Sequence, residues 1–96
     1  MGKLRKLVED RRDEINELIR QHRAHAVALF GSVARGEDTE TSDIDFLVEF
    51  DKGSSLFDLM DLQEALQALL GVPVDVVSAG GLKDRDDHIR REAVPL

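Results

Sequence analysis

The sequence predicts a small α/β (α+β) domain in which helices flank a mixed β-sheet of about three strands. Helix-like and strand-like segments alternate along the chain in the order α-β-α-β-α-β-α, which is typical of a layered domain with helices packed on a sheet. The 96 residues are enough for one domain, spanning residues 1–96, and too few for two. A content of 42% hydrophobic and 34% charged residues indicates a globular chain rather than a disordered one.

The first half of the chain predicts two helices and two strands. Residues 3–21 place apolar side chains at helical spacing between charged ones, so we expect one amphipathic helix there. The apolar segment 24–30 (AHAVALF) ends at Gly31 and predicts a buried strand, followed by a short helix at 33–35. Residues 43–50 (DIDFLVEF) alternate between two faces and predict a second strand.

The second half predicts two further helices around a third strand. Ser55 and Asp58 have the spacing of a capping box at the start of a leucine-rich helix, which Gly71 ends. Residues 72–77 (VPVDVV) predict the third strand, whose proline lies near its start, where it is tolerated. A final helix is expected over residues 82–93.

The charge and composition of the chain exclude several classes of protein. With 13 Lys+Arg against 20 Asp+Glu, the formal net charge is −7, which disfavours direct binding of nucleic acid or of an anionic membrane. The absence of cysteine excludes disulfides and Cys-ligated metals. No apolar run approaches the ~20 residues of a membrane span, so we expect a cytoplasmic protein. The chain also has no tyrosine and no tryptophan.

Three aspartates lie where apolar residues would favour a sheet. Asp43 and Asp45 are two residues apart on a predicted strand, so they share one face and repel each other. Asp75 interrupts a run of valines, where an unpaired buried carboxylate would cost several kcal/mol. If the second and third strands are neighbours, the three carboxylates meet on one face. Hard oxygen ligands of this kind suit Mg²⁺ or Mn²⁺.

The segment just upstream has the features of a phosphate site. Gly31 and Ser32 follow a strand directly and open a short helix, so backbone N–H groups and the serine hydroxyl could hold a phosphate. Arg35 could add a positively charged fork. Two metal ions about 3.5–4 Å apart could serve an attacking hydroxyl and a leaving pyrophosphate. Each signal alone is common in turns, strand edges and rims; their combination favours a metal–phosphate site.

These residues resemble a known signature. Gly31-Ser32, ten residues and then Asp43-Ile44-Asp45 is similar to the G-S-x₁₀-D-x-D motif of the DNA polymerase β-like nucleotidyltransferase superfamily. The string GSVARGEDTETSDIDFLVEF, with most of the remaining chain, resembles its smallest branch, the minimal nucleotidyltransferase (MNT) proteins. The resemblance implies that Asp43 and Asp45 bind two Mg²⁺ ions. It also implies that Asp75 is a metal ligand that helps to deprotonate the attacking hydroxyl, and that Gly31 and Ser32 bind the nucleotide phosphates.

The resemblance also implies a partner and a reaction. Members of this branch are commonly antitoxins encoded beside a HEPN-domain ribonuclease toxin, and they are similar to enzymes that transfer AMP from ATP to a tyrosine of that toxin. A chain without tyrosine is consistent with an acceptor on another molecule. Two alternatives remain open: a non-catalytic antitoxin that neutralises by binding, and a small-molecule nucleotidyltransferase similar to aminoglycoside-modifying enzymes. A homo-oligomer, or a hetero-oligomer with the toxin, is also left open.

Overall fold

The computed structural model describes residues 2–39 and 41–96, without the side chain of Asp84, and consists over those ranges of a four-stranded sheet and five helices. In chain order the elements are α1 (Lys3–Asp10), α2 (Arg12–Gln21), β1 (Ala24–Phe30), α3 (Gly31–Arg35), β2 (Ile44–Phe50), α4 (Leu56–Leu70), β3 (Val74–Ser78), α5 (Asp87–Glu92) and β4 (Val94–Pro95). Two 3₁₀ turns, Ala79–Gly81 and Asp84–Asp86, precede α5.

The sheet has the strand order β3-β2-β1-β4 and is mixed. The strands β2 and β3 run parallel, joined by α4, whereas β1 is antiparallel to both β2 and β4. The predicted fold class is therefore confirmed, with one strand more than expected. The sequence did not predict β4 because two residues, one of them Pro95, are too short to show an alternating pattern.

The two faces of the sheet have different roles. One face, represented by Leu29, Phe46 and Val76, packs with helix side chains into the hydrophobic core. The opposite face carries Asp45 and Asp75, which the β2–β3 register places side by side. The core cluster consists of buried residues from the strands and from α1 to α4: Val8, Ile15, Ile19, Ala24, Val27, Leu29, Val33, Ala34, Ile44, Phe46, Val48, Leu62, Leu66, Leu70, Val74 and Val76.

Helix α4 also protects the exposed edge of β3. The side-chain oxygens of Gln67 and Gln63 accept hydrogen bonds from the backbone N–H groups of Val74 and Val76, both at 3.1 Å. These N–H groups point away from β2, where an edge strand would otherwise offer them to another chain. The capping box predicted at the start of α4 is present, with Asp58 Oδ2 accepting from the Ser55 N–H at 2.9 Å.

The predicted continuous helix over residues 3–21 is wrong in one respect, because it divides at Arg11 into α1 and α2. Neither glycine nor proline marks the break in the sequence. Its cause is tertiary: α1 contacts α3, with the Arg5 guanidinium donating to the Ala34 carbonyl oxygen, whereas α2 packs on β1 and α4. The two halves of the segment, α1 and α2, therefore pack against different elements.

The last predicted helix is shorter than expected. Only Asp87–Glu92 is α-helical, and the two 3₁₀ turns, with Leu82 and Lys83 between them, precede it. The guanidinium of Arg90 donates to the Ala79 carbonyl oxygen at 2.7 Å, which ties the helix to the first of those turns. Within the described ranges, no helix has the length and apolarity that crossing a bilayer requires.

Candidate functional site

The predicted site residues from three segments meet at one end of the sheet. Asp45 and Asp75 are each the second residue of their strand and are register partners across the parallel β2–β3 pair. Asp45 also pairs with Phe30, the last residue of β1, which Gly31 follows. The condition set by the sequence, that the second and third strands be neighbours, is therefore met. The carboxylates lie beside the start of α3.

Gly31 is the residue at which only glycine fits. Its φ of +74° lies in the left-handed region, which L side chains rarely adopt. A Cβ atom built on Gly31 would also collide with the carboxylate of Asp45. The backbone of the strand–helix turn therefore approaches the acidic edge formed by Asp43, Asp45 and Asp75 more closely than a side chain at position 31 would allow without displacing the Asp45 carboxylate. Close approach of backbone to a ligand is a typical use of glycine.

The acidic edge is electrostatically unfavourable by itself. Burial raises the pKa of Asp45, and the negative charges of Asp75 and Asp43 raise it further, while the Arg35 charge opposes the rise. Asp45 is half-buried, whereas Asp43 and Asp75 are exposed. The exposure of Asp75 corrects the expectation of a buried carboxylate in the valine strand: its neighbours Val74 and Val76 face the core and Asp75 faces away from it.

The donor set fits a divalent cation that also binds phosphate. Among the residues that the structure describes, no three His, Cys, Asp or Glu side chains converge closely enough to hold an ion by themselves. Like charges at neighbouring positions favour separated side chains. Mg²⁺ is commonly bound by one or two carboxylates together with substrate phosphates rather than by a cage of protein ligands. Asp45, with Asp43 and Asp75 beside it, fits that pattern, because a bound cation would offset the charges that raise the Asp45 pKa.

The start of α3 offers backbone donors that could bind a phosphate beside the carboxylates. The helix begins at Gly31 and continues through Ser32, which is half-buried. The first N–H groups of any helix lack intrahelical acceptors and are available to an anion. After five residues α3 ends at Gly36, whose φ is +73°. The sequence prediction of a short helix here is confirmed, with its start two residues earlier than expected.

Arg35 lies in an ion-pair network that the sequence did not predict. Its Nε donates to Glu37 Oε2 at 2.9 Å and its Nη1 donates to Glu92 Oε2 at 3.2 Å. Both carboxylates raise the pKa of the guanidinium, through the Glu37 hydrogen bond above all. Glu92 is 57 residues from Arg35, so no local spacing could have indicated the contact.

Comparison with known proteins shows the family to which the chain belongs. The family model described as a nucleotidyltransferase domain matches residues 6–94. The chain is 42% identical over 84 residues to a Methanocaldococcus jannaschii protein whose name assigns it to the protein adenylyltransferases, covering 86% of this chain and 90% of that one. It is 38% identical over 79 residues to the protein adenylyltransferase MntA of Thermococcus cleftensis, covering 74% of this chain and 80% of that one.

Solved structures show the same fold. One described as a minimal nucleotidyltransferase is 45% identical, with a TM-score of 0.87 over 100% of this chain and 97% of that one. The similarity extends to an MNT antitoxin in complex with a tri-AMPylated Shewanella oneidensis HEPN toxin, at a TM-score of 0.68 and 19% identity, covering 91% and 69% of the two chains. A toxin–antitoxin structure with AMP-PNP matches at a TM-score of 0.75 and 22% identity, covering 86% and 69%. These last two matches bear on the fold alone.

Proposed function

This chain belongs to the family of nucleotidyltransferase domains and is a minimal nucleotidyltransferase, and from that premise we propose that it is an antitoxin that adenylylates a toxin. It transfers AMP from Mg-ATP to a tyrosine hydroxyl of a HEPN-domain ribonuclease toxin and so neutralises it. The observation that carries the proposal is the register pairing of Asp45 with Asp75 beside Gly31, since it joins a carboxylate pair to a phosphate-binding turn. The absence of tyrosine from the chain supports an acceptor on another protein.

The residues of the site have different roles in the transfer. Asp43, Asp45 and Asp75 would hold Mg²⁺ or Mn²⁺, which when bound would neutralise phosphate charge and lower the pKa of the acceptor hydroxyl. The N–H groups at Gly31 and Ser32 bind and orient the phosphates. Holding both reactants in one geometry supplies a large part of the rate enhancement of group transfer.

The transfer itself forms one bond and breaks another. The tyrosine oxygen forms a bond to the α-phosphorus of ATP, and the bond from that phosphorus to the bridging oxygen of pyrophosphate breaks. The hydroxyl proton passes to the Asp75 carboxylate and then to solvent, which the exposure of Asp75 permits. The products are an AMP–tyrosine ester on the toxin and free pyrophosphate.

The direct test is label transfer. The protein is incubated with Mg²⁺ and a HEPN-domain toxin from the same genome, using ATP labelled in the α-phosphate or, in parallel, in the γ-phosphate. Adenylylation labels a toxin tyrosine from α-labelled ATP only, whereas phosphorylation would label it from the γ-position only. Asp45→Asn and EDTA should each abolish labelling, and Asp13→Asn, on the first turn of α2, should leave it unchanged.

A binding antitoxin is the second candidate, and one observation favours it. Leu56, Phe57 and Met60, near the start of α4, are 69%, 75% and 55% exposed, a concentration of apolar surface that is common at protein interfaces. The double variant Asp43→Asn/Asp45→Asn separates the candidates in a toxicity assay. Toxicity should return if neutralisation is catalytic, whereas continued neutralisation together with the loss of label transfer would establish binding.

A further inference from the structure

The guanidinium of Arg35 is fixed on two sides by carboxylates from different parts of the chain. Glu37 lies two residues beyond the end of α3 and accepts from Nε, and Glu92 is the last residue of α5 and accepts from Nη1. A guanidinium carries five N–H donors in one plane. Its Nη2 group donates to none of the residues that the structure describes. Two of the three nitrogens of Arg35 are therefore held by protein, and the third remains for another acceptor.

Strand β4 brings Glu92 next to Arg35. Val94, two residues after Glu92, pairs with Leu29, two residues before Gly31. The Leu96 N–H donates to the Val27 carbonyl oxygen at 3.0 Å and continues the pairing. The end of α5 is thereby registered against the end of β1, where α3 begins. The short fourth strand thus fixes a distant carboxylate beside the turn that binds phosphate.

The position of Arg35 relates this network to the acidic edge. Arg35 ends the five-residue helix that Gly31 begins, and the start of that helix lies against the Asp45 carboxylate, so Arg35 belongs to the element that borders this edge. Exposed ion pairs contribute little to the stability of a fold. The side chains of Arg35 and Glu92 are 45% and 44% exposed, so we expect their ion pair to contribute little to the stability of the fold.

We propose that Glu37 and Glu92 are positioning residues, which hold the Arg35 guanidinium so that its remaining N–H groups meet the phosphates of the bound nucleotide. The inference rests on the proposed function, because it places a nucleotide at this edge. Glu92 acts through Arg35 and touches no substrate. The benefit is a smaller loss of side-chain freedom when the phosphate binds, because an arginine held in advance has less conformational entropy to lose.

The direction in which Glu92→Ala changes the affinity for Mg-ATP distinguishes this inference from a purely electrostatic effect of Glu92. Removing a carboxylate near a polyanion relieves repulsion, so Glu92→Ala and Glu92→Gln would both tighten Mg-ATP binding if Glu92 acted only through its charge. If Glu92 positions Arg35, Glu92→Ala weakens binding despite the lost repulsion. Glu92→Gln keeps an oxygen acceptor for Nη1 and recovers part of the affinity.

Calorimetric titration of the full chain with Mg-ATP tests the inference. Glu92→Ala should raise the Kd about two- to fivefold, which lies within the range for losing one exposed ion pair, with Glu92→Gln between it and the wild type. Glu17→Ala is the matched control, because Glu17 pairs with Arg20 at 2.6 Å on an exposed face of α2, and it should leave the Kd unchanged. In an Arg35→Ala background, Glu92→Ala should have no further effect.

Three results would overturn the inference. They are an unchanged or tighter Kd in Glu92→Ala, an equal weakening in Glu17→Ala, and an undiminished effect of Glu92→Ala without Arg35. Steady-state kinetics adds a check, since lost positioning should raise the KM for ATP more than it lowers kcat. Failure of the proposed function is distinguishable: a wild-type protein that binds Mg-ATP but transfers no label leaves the positioning test intact, whereas one that binds no Mg-ATP overturns both.

Discussion

Replacing Asp45 with asparagine should stabilise the metal-free protein while abolishing transfer. The asparagine side chain would keep the shape of the aspartate and remove the charge that Asp75 and Asp43 repel. Side-chain pairs at facing positions of neighbouring strands change stability by about 0.2–1 kcal/mol, and like charges there destabilise. Partial burial of Asp45, its strand partner Asp75 and the nearby Asp43 on the same chain together, discounted for the solvent that reaches this edge, give a gain of about 1 kcal/mol. In a chain of this size, that gain corresponds to a rise in Tm of about 4–8 °C.

The pH dependence of this gain has a defined sign. Because the folded state raises the pKa of Asp45, the folded protein holds that proton more tightly than the unfolded chain does. The wild type therefore loses stability relative to Asp45→Asn as the pH rises from the ordinary pKa of aspartate through the raised one. The difference between the two proteins should be smallest below the ordinary pKa of aspartate and complete once the pH exceeds the raised pKa of Asp45.

Thermal and urea unfolding of both proteins in EDTA, at low ionic strength and across this pH range, measures the effect. High salt should shrink the difference, because the Debye length falls to about 3 Å near 1 M. The double variant Asp45→Asn/Asp75→Asn should gain less than the sum of its single variants, since each substitution relieves the same repulsion. Asp13→Asn is the control and should not stabilise, because Asp13 lies in the first turn of α2 at the positive end of the helix dipole. A metal-free Asp45→Asn protein no more stable than the wild type at neutral pH would refute the reasoning.

Three further predictions follow from the same geometry. Gly31→Ala should destabilise by more than the about 1–2 kcal/mol of a left-handed backbone alone and should abolish Mg-ATP binding, whereas Gly36→Ala, with a similar φ and open space around it, should cost only that backbone term and leave binding unchanged. Gln63→Ala and Gln67→Ala should each lower the free energy of unfolding by about 1 kcal/mol in urea titrations, because each leaves a β3 N–H without its acceptor; unchanged midpoints would contradict the edge-capping role. Mg-ATP at about 100 times its Kd should add about 2.7 kcal/mol of stability, which EDTA should remove, and a Tm that does not respond would count against the site.

The elements that the sequence predicted are those with local signals. The capping box at Ser55 and Asp58, and the glycine at position 71 that ends α4, are contained within a few residues of the helix ends that they define. The division of the first helix at Arg11 has no such signal, because its cause is that α1 and α2 pack against different elements. Similarly, β4 exists because β1 has an unpaired edge to receive it, and Val94 carries no local mark of that pairing.

The same distinction explains which site residues the sequence revealed. Gly31 and Asp45 break local rules: one takes a left-handed backbone at a strand end, and the other places a repelled carboxylate on a sheet. Such violations are expected where function outweighs stability, so they are visible in a single sequence. Glu92 breaks no rule, because an exposed glutamate at the end of a short helix is ordinary, and only the β1–β4 register brings it to Arg35. Local violations therefore indicate the residues proposed to bind the ligand's charge, and they give no signal for the residues proposed to position them. If Glu92 positions Arg35, other positioning residues of this site should be sought among unremarkable surface charges that strand pairing brings to α3.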